Sequence, residues 1–252
     1  MRKFILLLLV LWATADRAHA NEKLGMTAAR QTQAWEAVGR LNLIGTGFCT
    51  GALIAPNLVL TAAHCMFDKR TGKRVELKNI EFLAGFRDGR AAATRTARRV
   101  VLNKNYRYNN KRRLERVATD IALIELDTPI KNARIIPFGW AKRPKVGQTV
   151  EVVSYATDHP NAPTLQETCR VLGRDPAVLV LSCQVNFGAS GSPIFVIENG
   201  VARITSVVSA KAEWNRKKVA LGAGLGRPLQ DLIGQISSLS AGITSIQSLA
   251  SQ

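Results

Sequence analysis

The hydrophobic positions of this chain come in short bursts. Ala52–Ile54, Leu58–Leu60, Ile80–Leu83, Ile121–Leu126, Val150–Tyr155, Val178–Leu181, Ile194–Ile197 and Ile204–Val208 are rich in Val, Ile and Leu. Turn formers separate them: Pro56-Asn57, Thr71-Gly72, Asp88-Gly89, Asn109-Asn110, Gly147 and Asn199-Gly200. Runs of this length bounded by turn residues predict strands, and their spacing predicts an all-β sandwich or barrel rather than βαβ units. The end of the chain follows another period. Leu229, Leu232, Ile233, Ile236, Leu239, Ile243, Ile246 and Leu249 recur at steps of one, three and four, which describes one face of a helix. Pro228 suits its first turn, because a proline there forfeits no helical hydrogen bond.

The start of the chain is patterned differently. Arg2 and Lys3 precede an apolar run from Phe4 to Ala13, and Ala18-His19-Ala20 follows. The run is too short to span a bilayer as a helix. The order of basic residues, apolar run and A-x-A predicts a secretory signal peptide over residues 1–20, cleaved before Asn21. Residues 21–35 are a polar, helix-favouring lead-in. The expected destination is secreted or periplasmic, with no transmembrane segment after cleavage.

Charge narrows the class of partner. Against 18 Asp+Glu stand 35 Lys+Arg, a formal +17. Without residues 1–20 the balance is 32 basic to 17 acidic residues, or +15. Much of the excess lies in residues 87–116, where eleven Lys/Arg face Asp88 and Glu115 alone. Such a stretch attracts anionic surfaces. No nucleic-acid motif accompanies it, so a solvated positive face is expected there and no specific nucleic-acid partner. Four cysteines, Cys49, Cys65, Cys169 and Cys183, in an exported chain read as two disulfides. Three pairings are possible. Sequential pairing, Cys49–Cys65 and Cys169–Cys183, closes the shortest loops. No C-x-x-C occurs, which argues against zinc; no metal or cofactor is expected.

Three segments could carry chemistry. In Gly188-Ala189-Ser190-Gly191-Ser192-Pro193, glycines flank a serine. They permit backbone conformations in which successive N–H groups, those of Gly188 and Ser190, converge on one oxygen. In Leu60-Thr61-Ala62-Ala63-His64-Cys65, an apolar strand runs through small residues into a histidine, and a Cys49–Cys65 bridge would pin the chain beside it. In Asp120-Ile121-Ala122-Leu123, a carboxylate opens an apolar strand. A buried carboxylate needs donors, and an imidazole N–H is one. Glu125 and Asp127 are the alternative partners for the histidine.

Together, these blocks and Cys49-Thr50-Gly51-Ala52-Leu53-Ile54 resemble the trypsin/chymotrypsin-like serine peptidases. Thr61-Ala62-Ala63-His64-Cys65 is the most specific of them. The resemblance spans residues 36–228. It implies two six-stranded antiparallel β-barrels, over about 36–128 and 146–228, ahead of a C-terminal helix and tail at 229–252. It also implies His64, Asp120 and Ser190 as a catalytic triad, the Gly188 and Ser190 N–H groups as an oxyanion hole, and a monomeric peptidase acting on peptides or proteins.

The resemblance is not uniform. Animal digestive members carry Asp before the nucleophile, which pairs with a freed N-terminus; here Ala189 stands there, and no Ile-Val-Gly-Gly lies near the start. The Gly-Ala-Ser-Gly-Ser-Pro block is nearer to bacterial glutamyl-endopeptidase-like branches. By the resemblance, the specificity pocket has its base near Gln184, which argues against a trypsin-like preference, and one wall at Ser209-Ala210-Lys211. Lys211 there would favour acidic substrates. The competing expectation is a catalytically silent protein of the same fold, binding anionic surfaces by charge.

Overall fold

Among the described residues, twelve strands and two α-helices organise the chain. The computed structural model describes residues 34–250, without the side chains of 167 and 240–250. The expected signal peptide, its expected cleavage site and nearly all of the expected lead-in therefore lie outside the described residues. The chain divides into Met1–Trp35 and Glu36–Gln252, and the second unit holds everything that follows.

Barrel one is built from β1 (Val38–Leu43), β2 (Gly47–Ala55), β3 (Leu58–Thr61), β4 (Ile80–Ala84), β5 (Ala93–Leu102) and β6 (Ala122–Leu126). They close in the order β1-β2-β3-β6-β5-β4. Barrel two is built from β7 (Thr149–Ala156), β8 (His159–Asp175), β9 (Val178–Leu181), β10 (Pro193–Glu198), β11 (Val201–Trp214) and β12 (Lys217–Gly224). They close in the order β10-β11-β12-β9-β8-β7. All pairings are antiparallel. Closure satisfies both edges of each sheet within itself. The architecture is the all-β double barrel with a C-terminal helix that the resemblance implied.

Each predicted apolar run lies in or overlaps a strand and fills a barrel interior. Leu41, Leu53, Leu60, Phe82 and Leu123 are buried in barrel one; Val152, Leu179, Leu181 and Ile194 are buried in barrel two. The β10–β11 hairpin turns at Asn199-Gly200 with positive φ at both residues, the geometry that matches strand twist. The β11–β12 hairpin does the same with Asn215 and Arg216, a turn with no glycine to announce it.

Two helices join the halves. α1 (Arg113–Ala118) lies inside the basic stretch and packs on β12 and β9 of barrel two, with Val117 buried against Val178, Val219 and Leu221. Its C-terminal turn delivers Asp120, whose N–H donates to the Val117 carbonyl. The positive stretch is thus partly a structural bridge and not a uniform solvated face. α2 (Gly226–Ala250) leaves barrel two and packs on β5 and β6 of barrel one. Leu229, Leu232 and Ile236 are its buried face, while Leu239 is exposed. Among the described residues, no helix is long and apolar enough to cross a membrane.

Candidate active site

The histidine segment is fixed by what precedes and follows it. β3 ends at Thr61, and the fully buried Ala62 and Ala63 let the chain pass closely beneath the barrel rim into a short 3₁₀ turn, Ala63–Met66. Cys65 is bonded to Cys49 on β2, S–S 2.03 Å, so the turn is stapled to the neighbouring strand. The disulfide lies against the imidazole: Cys65 Sγ is 4.0 Å from His64 Nε2. The second bridge joins Cys169 to Cys183 in barrel two.

Asp120 meets His64 twice. Its Oδ1 accepts the His64 backbone N–H at 2.8 Å, and its Oδ2 accepts from Nδ1 at 2.7 Å. A third donor, the Ser209 hydroxyl, reaches Oδ2 at 2.5 Å. Asp120 is 2% exposed, and a carboxylate so buried is tolerated because donors replace its lost water. With Nδ1 donating, the neutral ring presents a lone pair at Nε2. The alternatives for this role are otherwise engaged: Glu125 pairs with Arg99 and Arg98 at 3.4 and 3.8 Å, and Asp127 accepts from Thr96. The other histidine beyond the predicted leader, His159, is exposed beside Asp158.

Ser190 sits in the loop between β9 and β10, and two glycines shape that loop. Gly188 has φ +94°, and a Cβ there would stand 2.3 Å from the Phe48 ring and 3.0 Å from the Tyr155 carbonyl. Gly191 has φ +79°, and a Cβ there would stand 2.1 Å from Thr61 Oγ1 and 2.4 Å from the Thr50 carbonyl. Neither conformation nor space admits a side chain. The loop is then tied across the barrels. Thr50 N–H donates to the Ser190 carbonyl at 2.8 Å, and Gly191 N–H donates to Val208 at 2.7 Å. Thr50 Oγ1, fully buried, donates to the Gly188 carbonyl at 3.0 Å and accepts the Tyr155 N–H at 3.0 Å. The N–H groups of Gly188 and Ser190 have no hydrogen-bond partner among the described residues.

His64 and Ser190 line one cavity of about 220 Å³, with Phe187, Ser209, Ala210 and Lys211. Phe187 is 57% exposed and carries a lysine from each side: Lys211 Nζ at 4.1 Å and Lys69 Nζ at 5.1 Å from its ring centre. Of the predicted specificity residues, Ala210 and Lys211 border this cavity. Ser209 borders it too, but its hydroxyl is committed to Asp120. Gln184 does not border it. It is exposed and lines a neighbouring cavity of about 630 Å³ that shares Val185, Asn186 and Lys211 with the first.

With this geometry in hand, the chain can be set beside known proteins. The Trypsin family model matches residues 25–223. The chain belongs to the trypsin family. "Serine protease 23" of Rattus norvegicus is 26% identical over 212 residues, covering 71% of this chain and 55% of the relative, so the chain spans about half the length of that curated relative. Among solved structures, a Glu endopeptidase in complex with MPD superposes with a TM-score of 0.65 at 19% identity, covering 81% of this chain and 91% of the other. A thermostable serine protease, AL20, from an extremophilic microorganism gives 0.65 at 18%, covering 82% and 99%. At these identities the solved structures share the trypsin-family fold.

Two residues of this trypsin-family site escaped the sequence reading. Thr50 was visible only as part of a strand motif, and Tyr106 only as an aromatic among basic residues. Tyr106 lies beside Asp120 and Arg116; burial chiefly, helped by the Asp120 charge, pushes its phenol far above the usual range, so it stays a donor. Their signal is burial, and burial belongs to the folded chain.

Proposed function

We propose that the chain is a serine endopeptidase, exported, with Ser190 as nucleophile, His64 as general base and then acid, and Asp120 as the group that orients His64. The observation that carries this is the buried Asp120 holding Nδ1 of His64, while His64 and Ser190 line one cavity. His64 Nε2 takes the Ser190 hydroxyl proton as Oγ bonds to the scissile carbonyl carbon. The carbonyl electron pair moves onto oxygen, where the Gly188 and Ser190 N–H groups stabilise the charge. The imidazolium gives its proton to the departing nitrogen as the C–N bond breaks, leaving an ester on Ser190. Water then repeats the sequence, the ester bond breaks, and the proton returns to Ser190.

Two disulfides fit an oxidising compartment outside the cytoplasm. The site also dispenses with an N-terminal switch. Ala189 offers no carboxylate to a freed ammonium, and the loop is held instead by Thr50 and Val208. A chain beginning at Asn21 is therefore active without trimming. The test is fluorophosphonate labelling together with peptide hydrolysis. Label on Ser190, and a loss on the order of 10⁶-fold in kcat for Ser190→Ala, support the proposal. A well-folded chain that neither labels nor cleaves is the silent binder instead, and activity only after N-terminal trimming refutes the switch-free site.

A further inference from the structure

The acyl chemistry makes no direct use of Arg40. This residue stands on β1 opposite Thr50 of β2, and Phe48 lies two residues before Thr50. Side chains alternate along a strand, so Arg40, Phe48 and Thr50 share one face of the sheet. From that face Thr50 reaches barrel two. The Arg40 guanidinium carbon lies over the Phe48 ring at 4.4 Å and over the Phe86 ring at 5.4 Å from their centres. Phe86 is itself held, because its carbonyl accepts the Tyr155 hydroxyl at 2.8 Å. No carboxylate pairs with Arg40 among the described residues, and its Nε is buried without a hydrogen-bond partner. Burial lowers its pKa, with the Tyr155 phenol acting the other way. A cation drawn from water without a counter-ion is held here by two aromatic faces.

The Phe48 ring is also what the Ser190 loop rests on. It closes the side-chain direction at Gly188, where any Cβ would run into two of its ring carbons. The peptide joining Phe187 to Gly188 is fixed at its carbonyl, which accepts the Thr157 N–H at 2.8 Å. A trans peptide points its N–H the opposite way, so this bond sets the direction of the Gly188 N–H. The next carbonyl, that of Gly188, is held by Thr50. Both peptides flanking Gly188 are thus tied by hydrogen bonds, and the α-carbon between them is seated on one ring. A ring free to turn would leave space beside a glycine at φ +94°, the residue type with the most conformational freedom.

We propose that Arg40 is a positioning residue for the oxyanion donors, acting through Phe48. The stacked guanidinium pins the ring, and the pinned ring keeps Gly188 where its N–H meets the charge that develops on the scissile carbonyl oxygen. Donors aimed at developing charge accelerate a reaction to the extent that they are fixed beforehand. Loosening Gly188 therefore weakens the transition state and leaves the bound substrate nearly untouched, so the effect falls on kcat and not on KM.

This inference rests on the peptidase reading, and the measurements separate the two. A peptide that the wild-type chain cleaves is assayed with four variants, each well below its Tm. Arg40→Met keeps the length and loses the charge; Arg40→Lys keeps the charge and loses the planar stack; Phe48→Leu removes the ring; Phe48→Leu/Arg40→Met removes both. Arg40→Met lowers kcat by about five- to tenfold with KM unchanged, and Arg40→Lys falls between it and wild type. In the Phe48→Leu background Arg40→Met costs nothing further, because the two residues act as one unit. The aldehyde of the same peptide gives a readout that packing alone does not move. Ser190 Oγ adds to its carbon, His64 takes the hydroxyl proton, and the carbonyl electron pair becomes an oxyanion; the matching alcohol binds without that step. Aldehyde affinity falls by the same factor as kcat, and alcohol affinity stays. Three results each overturn the role of Arg40 while cleavage by the wild-type chain upholds the peptidase reading: wild-type kcat in Arg40→Met, equal losses for aldehyde and alcohol, or an undiminished cost in the Phe48→Leu background. A wild-type chain that neither cleaves nor takes a fluorophosphonate label at Ser190 overturns the peptidase reading, and this role with it.

Discussion

Thr50 offers the sharpest test of how the two barrels cooperate. It is fully buried on β2 of barrel one, yet its hydroxyl serves barrel two: it donates to Gly188 and accepts from Tyr155. Thr50→Val keeps the shape and deletes both bonds. Each deserted backbone group, the Gly188 carbonyl and the Tyr155 N–H, then costs ~1–3 kcal/mol of unsatisfied burial. Two such groups amount to roughly 2–6 kcal/mol, a large share of the ~5–15 kcal/mol by which a domain is stable. For a unit of this size each kcal/mol lowers Tm by about 2–4 °C. Thr50→Ser keeps the hydroxyl and loses one methyl, about 0.8 kcal/mol. Catalysis should separate the pair as well. Freeing the Gly188 carbonyl loosens the peptide that aims the oxyanion donors, so kcat falls by at least about tenfold in Thr50→Val with KM little changed. Thermal melts and steady-state kinetics on both variants decide the matter. If Val and Ser at this position give the same Tm and the same kcat, the bridging hydroxyl has no such role.

Other expectations follow from the same geometry. Asp120→Asn keeps the shape but favours the wrong imidazole tautomer; kcat should fall by roughly 10⁴-fold, a magnitude carried over from related triad peptidases, while fold and Tm are nearly kept. Ser209→Ala removes one of three donors to a buried carboxylate, a bond of about 1.5–3 kcal/mol, and should lower Tm measurably and kcat by about tenfold; unchanged kinetics would show that His64 holds Asp120 unaided. Cys49→Ser with Cys65→Ser opens a loop with a sequence separation of 16 residues, worth about 3 kcal/mol, and should depress kcat further than stability alone explains, because the turn carrying His64 loses its staple; chemical denaturation and activity in native buffer read the two effects separately.

The candidate functional segments were legible because each is local. Small residues before His64, glycines around Ser190 and a carboxylate opening an apolar strand are patterns of adjacent residues, and the structure brings His64 to Asp120 and to the cavity of Ser190. Other features left weaker traces. β5 and β8 have many polar positions, so their strand character was diluted; in β5, Thr94, Thr96 and Arg98 are exposed and Arg95 is half-buried, while Ala97 and Val101 are buried. α1 has neither a side-chain cap nor an apolar stripe; it is held by one buried valine against the other barrel.

What the sequence determined by itself was therefore the strand-rich class, the cysteine pairs available, the excess of positive charge and the residue types able to do acyl chemistry, since these depend on neighbours along the chain. What only the tertiary structure decided was which polar groups face one another: the Ser209 hydroxyl on Asp120, Gln184 in the neighbouring cavity, Thr50 bridging the barrels, and Tyr106 buried beside Asp120. A hydrogen bond or a buried charge is settled by distance and by the exclusion of water, and both come into being only when distant segments close around the same space.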